Sequence, residues 1–205
     1  MTNTIITIGR EFGSGGCEIG HKLAEKLGIK CYDKDMLDLA AKESGICQEI
    51  FESHDEKPTN SFLYSLVMDT YSFGYSSGSY TDMPLNHKVF LAQFDAIKKI
   101  AKAGPCVLVG RCADYILRER DDVLNVFIHA DMASKINRAV TYFGITEDQA
   151  PALLKKKDKA RSNHYKYYTD QDWGMASNYD LSLNSGALGI DGCVDVILKA
   201  LEEIK

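Results

Sequence analysis

Short apolar runs alternate with amphipathic stretches along this chain. Residues 4–8, Thr-Ile-Ile-Thr-Ile, read as a buried strand. Residues 16–27 then carry Ile19, Leu23, Ala24 and Leu27 on one helical stripe and stop at Gly28. Lys30 to Tyr32 is a short second strand. Asp33, Lys34 and Asp35 would cap a helix running through Met36, Leu37 and Leu39 towards Gly45, with another helical stretch over 47–54. A long amphipathic helix is predicted over 86–102, closed by Gly104-Pro105. Cys106-Val107-Leu108-Val109 is apolar throughout, as a parallel strand covered on both faces must be. The pattern then predicts a strand over 124–129, a helix over 132–143 and, behind a Thr146 cap, a helix over 147–165. A strand over 179–183 and a helix over 191–204 complete it. Strands spaced by helices in this way imply an α/β domain whose parallel sheet is covered by helices on both faces.

Residues 58–84 break the rhythm with Pro58, Pro84, four serines between Ser72 and Ser79, and Tyr64, Tyr71, Tyr75 and Tyr80. So long a polar, aromatic stretch within a compact domain reads either as a functional insertion or as a disordered loop.

Composition narrows the function classes. The 205 residues suit one domain, and a net charge of -5 argues against general affinity for nucleic acid or anionic membrane, so any polyanion site is local. No run reaches transmembrane length, and no basic, apolar signal precedes the first strand, which leads us to expect a cytoplasmic protein. Six cysteines without a C-x-x-C pair fit reduced thiols better than disulfides or zinc.

Candidate chemistry begins at Gly9-Arg10-Glu11-Phe12-Gly13-Ser14-Gly15-Gly16, between the first strand and the first helix. Glycines here let backbone N–H groups and the helix dipole converge on a phosphate. A dinucleotide fingerprint is the weaker alternative. A Walker A loop would continue with Lys and then Ser or Thr, whereas this chain has Gly16 and Cys17. Arg10 could stand in for the lysine or merely anchor the loop through a salt bridge. Asp33 could hold magnesium through water or merely cap a helix. Arg111, after Gly110 at the end of a buried strand, faces the expected ligand crevice, where it would fork onto a phosphate or pair with Asp114. Lys155 to Arg161 is a basic run in which Lys157 and Arg161 share a helix face. It reads as a lid over a nucleotide or as a solvated surface.

Taken in order, these pieces make the chain similar to the cytidylate kinase-like family, a divergent branch of the P-loop nucleoside monophosphate kinases. The carriers are residues 6–16, Leu23-Ala24-Glu25-Lys26-Leu27-Gly28, Tyr32-Asp33-Lys34 and residues 109–117. True cytidylate kinases have Gly-Ser-Gly-Lys where this chain has Gly13-Ser14-Gly15-Gly16, and Gly-Arg-Asp where it has Gly110-Arg111-Cys112. Tyr179 to Ser185 with Ile190-Asp191 is similar to the strand, Asn/Thr-Ser turn and helix start that end such kinases. By this resemblance Asn184 and Ser185 border the adenine of ATP, and Arg138 joins the lid cations.

The resemblance implies a three-layer α/β/α P-loop kinase fold in one domain, residues 1–205, with a mobile substrate-binding insertion at 46–84 and a lid at 140–175. It implies ATP- and magnesium-dependent phosphoryl transfer to a small-molecule nucleotide, CMP or dCMP first. Arg10, Asp33, Arg111, Lys157 and Arg161 are the expected catalytic groups. Gly13, Ser14, Gly15, Gly16, Cys17, Arg138, Asn184 and Ser185 are the expected nucleotide-binding ones. No protein metal site is expected, nor a nucleic-acid or membrane partner. Loss of the loop lysine and hydroxyl keeps a second expectation open: a non-catalytic nucleotide or phosphate sensor on the same scaffold. Phosphorylation of another small metabolite is a third.

Overall fold

The computed structural model describes residues 4–33 and 85–203. The helices expected over 36–54, and the insertion assigned to 46–84, lie outside them. Five strands form one sheet in the order β2-β3-β1-β4-β5: β1 (Ile5–Arg10), β2 (Lys30–Tyr32), β3 (Cys106–Val109), β4 (Val123–His129) and β5 (Leu181–Asn184). Every pairing is parallel.

Both faces of the sheet are buried, and successive residues divide between them with period two. Ile6, Ile8, Val107, Val109, Leu124, Val126 and Ile128 pack against α1 (Gly16–Leu27) and α6 (Ser185–Glu203). Ile5, Cys106 and Leu108 point the other way, into a cluster with α2 (Leu85–Ala103) and α3 (Ala113–Ile116). Tyr165 and Tyr168 join that cluster from α5 (Ala150–Thr169), and the Tyr168 ring stacks on Phe90 at 3.8 Å. The remaining helix, α4 (Met132–Phe143), starts on an Asp131 cap that accepts the Ser134 N–H at 2.9 Å. Among the described residues no helix is long and apolar enough to cross a membrane.

Element boundaries move where competing hydrogen bonds, local or long-range, outweigh periodicity. The helix expected from residue 147 starts at Ala150, because the Thr146 carbonyl takes the Gln149 and Ala150 N–H groups in a preceding turn. The strand expected from Tyr179 starts at Leu181. Asp180 is tied sideways to β4, donating its N–H to the Asn125 carbonyl and accepting the Asn125 N–H at 2.7 Å. A short helical turn from Ser185 precedes the last helix, which runs on after Gly189 from close to the expected Asp191. Asn184 Oδ1 caps Gly186 and Ala187, and Gly189 (φ 71, ψ 172) then breaks the turn before the helix resumes.

Candidate functional site

The sheet order sets the C-terminal ends of β1 and β3 side by side, which is where an open parallel sheet binds ligands. β1 runs into the glycine loop. Gly13 (φ 81) and Gly15 (φ 78) take left-handed backbone, and Gly15 caps α1 without any side-chain bond. The first N–H groups of α1, at Gly16, Cys17 and Glu18, have no partner within a helix and face the site as donors.

Arg10 decides what the loop can do. A Cβ at Gly16 would lie 2.5 Å from Arg10 Cβ and 3.0 Å from its Cγ, so the arginine stem fills the space beside the residue where a Walker lysine would root. Its guanidinium continues to Gly110, where even a methyl would collide with Nη1, and reaches Asp33 Oδ1 at 3.7 Å. Gly16 and Gly110 are thus two gaps left for one side chain.

Two clefts flank Arg10. The larger, about 330 Å³, is walled by Gly13, Gly15, Gly16, Cys17, Asp33, Arg138 and Arg161 among others. The smaller, about 30 Å³, lies between Gly110, Arg111, Asp114, Arg161, His164 and Tyr165. That volume holds about two waters. Arg10 and Arg161 belong to both walls. Arg161 Nη1 donates to the Arg10 carbonyl at 3.1 Å, and its guanidinium lies 5.6 Å from the Phe12 ring.

Arg111 sits on unusual backbone. Gly110 (φ 79), Arg111 (φ 62) and Cys112 (φ 55) are consecutively left-handed. For the two side-chain-bearing residues this costs about 1–2 kcal/mol each. Strain of this kind concentrates where a site dictates the backbone. Below the turn, the half-buried Asp114 carboxyl accepts the Tyr165 hydroxyl at 2.6 Å. Burial pushes its pKa up, only partly offset by that bond. It is Tyr165, not Arg111, that the structure pairs with Asp114.

Other expected residues take internal partners. The Cys17 thiol donates to Asp33 Oδ2 at 2.6 Å, and burial, then this bond, push its pKa up to about 12. Arg138 Nη2 is held by Glu18 at 2.7 Å and stacks over Tyr142, with its guanidinium against Gly15. Ser14 is fully buried and its hydroxyl donates to the Glu11 carbonyl at 2.9 Å. Ser185 Oγ lies 2.6 Å from the Ser14 carbonyl and buttresses the loop from behind. Ser14, Lys157, Asn184 and Ser185 stand outside the walls of both clefts, Lys157 being exposed on α5.

Sequence reasoning missed a buried lysine. Lys135 on α4 is 5 % exposed, and its Nζ bridges Glu11 Oε2 and Asp158 Oδ2, each at 3.0 Å. Burial works to lower its pKa, but the two carboxylates hold it above the ordinary value. Spacing alone carried no signal of this, since Asp158 looks like one acid in a basic run.

Polyphosphate suits this chemistry: open helix N–H groups, a Cβ-free cradle and three arginines line the larger cleft. Magnesium suits it less, because a protonated thiol stands where a hydroxyl is usual, and of the cleft's carboxylates Glu11 is held by Lys135, Glu18 by Arg138 and Asp33 by the thiol itself. Among the described residues no three His, Cys, Asp or Glu side chains converge into a metal cage.

Comparison with known proteins agrees with this frame. The chain is 26% identical over 202 residues to a protein named cytidylate kinase from Methanococcus vannielii, covering 97% of this chain and 99% of that one. It is 28% identical to another of that name from Archaeoglobus fulgidus, covering 96% and 94%. A crystal structure of an uncharacterized protein from Eubacterium ventriosum superposes with a TM-score of 0.73 at 29% identity, covering 97% and 98%. Shikimate kinase from Bacteroides thetaiotaomicron, at 11% identity, shares the fold with a TM-score of 0.54 over 97% and 98% of the two chains. The profile described as the cytidylate kinase-like family matches residues 5–187. Running from the start of β1 into the first turn of α6, that match spans the sheet, the glycine loop and both clefts, and the chain belongs to the cytidylate kinase-like family.

Proposed function

We propose that this protein transfers a phosphoryl group from ATP to a nucleoside monophosphate, CMP or dCMP first, with Arg10 in place of the missing loop lysine. The observation that carries this is the position of Arg10 and Arg161 in the wall between two clefts, one at the glycine loop and one at Arg111. Phosphoryl transfer needs that layout: donor and acceptor phosphates on either side of fixed positive charge. The relatives named cytidylate kinase, matched almost end to end, support nucleotides as the substrate class.

In this reading the N–H groups of Gly13, Gly15 and Gly16 and of the first turn of α1 cradle the donor phosphates. Arg138 steadies them from the α4 side. Arg111 binds the acceptor phosphate, which enters the small cleft as the Arg111 side chain swings outwards against the fixed Arg161. The segment 140–175 covers the bound nucleotide, with Arg161 on its inner wall and Lys157 on its outer edge. ATP would supply the phosphoryl group, and Asp33 is the carboxylate that would meet its magnesium once released from the Cys17 thiol. Asp33 also keeps the Arg10 guanidinium in place. Little covalent chemistry is asked of the protein, so orientation and charge carry the catalysis.

Coupled-assay turnover with a panel of monophosphates tests the reading. Turnover is expected with CMP or dCMP above the other acceptors, and none with any acceptor, from folded protein, would overturn it. The Cys17–Asp33 hydrogen bond favours one alternative, because it occupies the groups that would otherwise meet magnesium. Under that alternative the protein senses nucleotide without turning it over. Calorimetry showing tight ATP binding beside a silent assay would select it.

A further inference from the structure

We infer that Asp158 and Lys135 are positioning residues that set the pitch of the glycine loop and fix the inner half of α5 to it. The inference deepens the proposed function and rests on reading the loop as a phosphate site.

Four consecutive residues are held from behind by α4 and α5. The Arg10 carbonyl accepts Arg161 Nη1 at 3.1 Å. Glu11 Oε2 accepts Lys135 Nζ at 3.0 Å and the Ala130 N–H at 3.2 Å. The Phe12 N–H donates to Asp158 Oδ1 at 2.6 Å. Gly13 packs so closely that a Cβ there would lie 3.1 Å from both the Lys135 carbonyl and Leu154 Cδ2. Asp158 Oδ2 closes the network on Lys135 Nζ at 3.0 Å.

A lysine buried between two carboxylates is a poor device for stability, since well-packed apolar side chains commonly serve as well or better. Its bonds are directional, however, and both of its partners grip the loop. The Phe12 N–H, the first after the Arg10–Glu11 step, is taken by Asp158 and so turned away from any ligand. The donors that remain for phosphate are those beyond it at Gly13, Gly15 and Gly16, the Ser14 N–H being given to the Glu11 carbonyl. Arg161 lies three residues after Asp158 on the same helix, so the bond that sets the loop also fixes where this arginine stands between the clefts. The inner half of α5 is therefore a fixed wall. Whatever closes over the ligand within 140–175 moves around it.

Three measurements on Asp158→Asn and Lys135→Met, each first shown to be folded by circular dichroism, test this. Hydrogen exchange at the Phe12 amide is expected to quicken about tenfold or more, as a charge-assisted bond is lost. Affinity for inorganic tripolyphosphate, read by calorimetry well below the melting temperature, is expected to fall by a similar factor. In the phosphoryl-transfer assay, KM for ATP rises and kcat falls, while Lys135→Arg, which keeps the charge, stays nearer to wild type and serves if the others do not fold. Variants that melt earlier but keep wild-type loop exchange and tripolyphosphate affinity would overturn the inference, reducing the network to structural support. Wild-type protein that fails to bind tripolyphosphate would overturn the phosphate-site reading instead, and the exchange measurement would still decide whether the loop is positioned from α5.

Discussion

At Gly110 the absence of a side chain is a space requirement. The Arg10 guanidinium occupies the place of its Cβ, and its φ of 79° disfavours any L side chain. Gly110→Ala is expected to cost about 2 kcal/mol or more of stability, from backbone strain and a displaced arginine, read as a lower urea midpoint. An unchanged midpoint would contradict the packing described. Cys17 gives a second test at this scale. With its thiol pushed up to about 12, it stays protonated at neutral pH, whereas an ordinary thiol is partly ionised at pH 8. Iodoacetamide should therefore label it roughly a hundredfold more slowly in the folded protein than in urea. Equal rates would show a thiolate. The motif itself was legible, because glycines clustered between an apolar run and an amphipathic stretch mark a place where backbone must come close to a ligand. The path of Arg10 was not. A glycine at position 16 says that something fills the space without saying which of several nearby cations does. Lys135 and Asp158 were hidden for the same reason: their bonds span 124 and 146 residues of chain, beyond any local pattern.

Helices and strands followed from periodicity wherever burial on one or both faces dictated it, as in α1 and β3. Their ends departed where a distant partner competed. Asp180 leaves the start of β5 to pair with Asn125, 55 residues away. The turn from β3 into α3 carries the larger surprise, three left-handed residues above a half-buried carboxyl. Asp114 makes that element sensitive to pH. Because burial raises its pKa in the folded state, folded protein takes up the proton more readily than unfolded protein. Its stabilising contribution is present at acid pH, below the ordinary carboxylate value of about 4, and is lost as pH rises through the raised value. Asp114→Asn can still accept the Tyr165 hydroxyl but does not ionise. The melting temperature of the variant relative to wild type is therefore expected to climb as pH rises above about 4, by roughly 2–4 °C per kcal/mol. A difference that stays flat or shrinks would mean that Asp114 ionises in the fold as it does in the unfolded chain.

For the whole molecule, the consequence of the 2-3-1-4-5 strand order is that one arginine at the end of β1 reaches the turn at the end of β3. The glycine loop, Arg10 and the Gly110–Arg111 turn form one device, and the arginine occupies the space beside the position a lysine would take. The most direct test exchanges the two. Arg10→Ala should lower phosphoryl transfer about a hundred- to a thousandfold, the cost of removing one charge-assisted contact to the transferring group. Gly16→Lys alone should fail as well, because its stem collides with Arg10. The account predicts that the double variant, Arg10→Ala with Gly16→Lys, recovers turnover above either single variant. Full activity in Arg10→Ala, or a double variant no better than the worse single one, would contradict it.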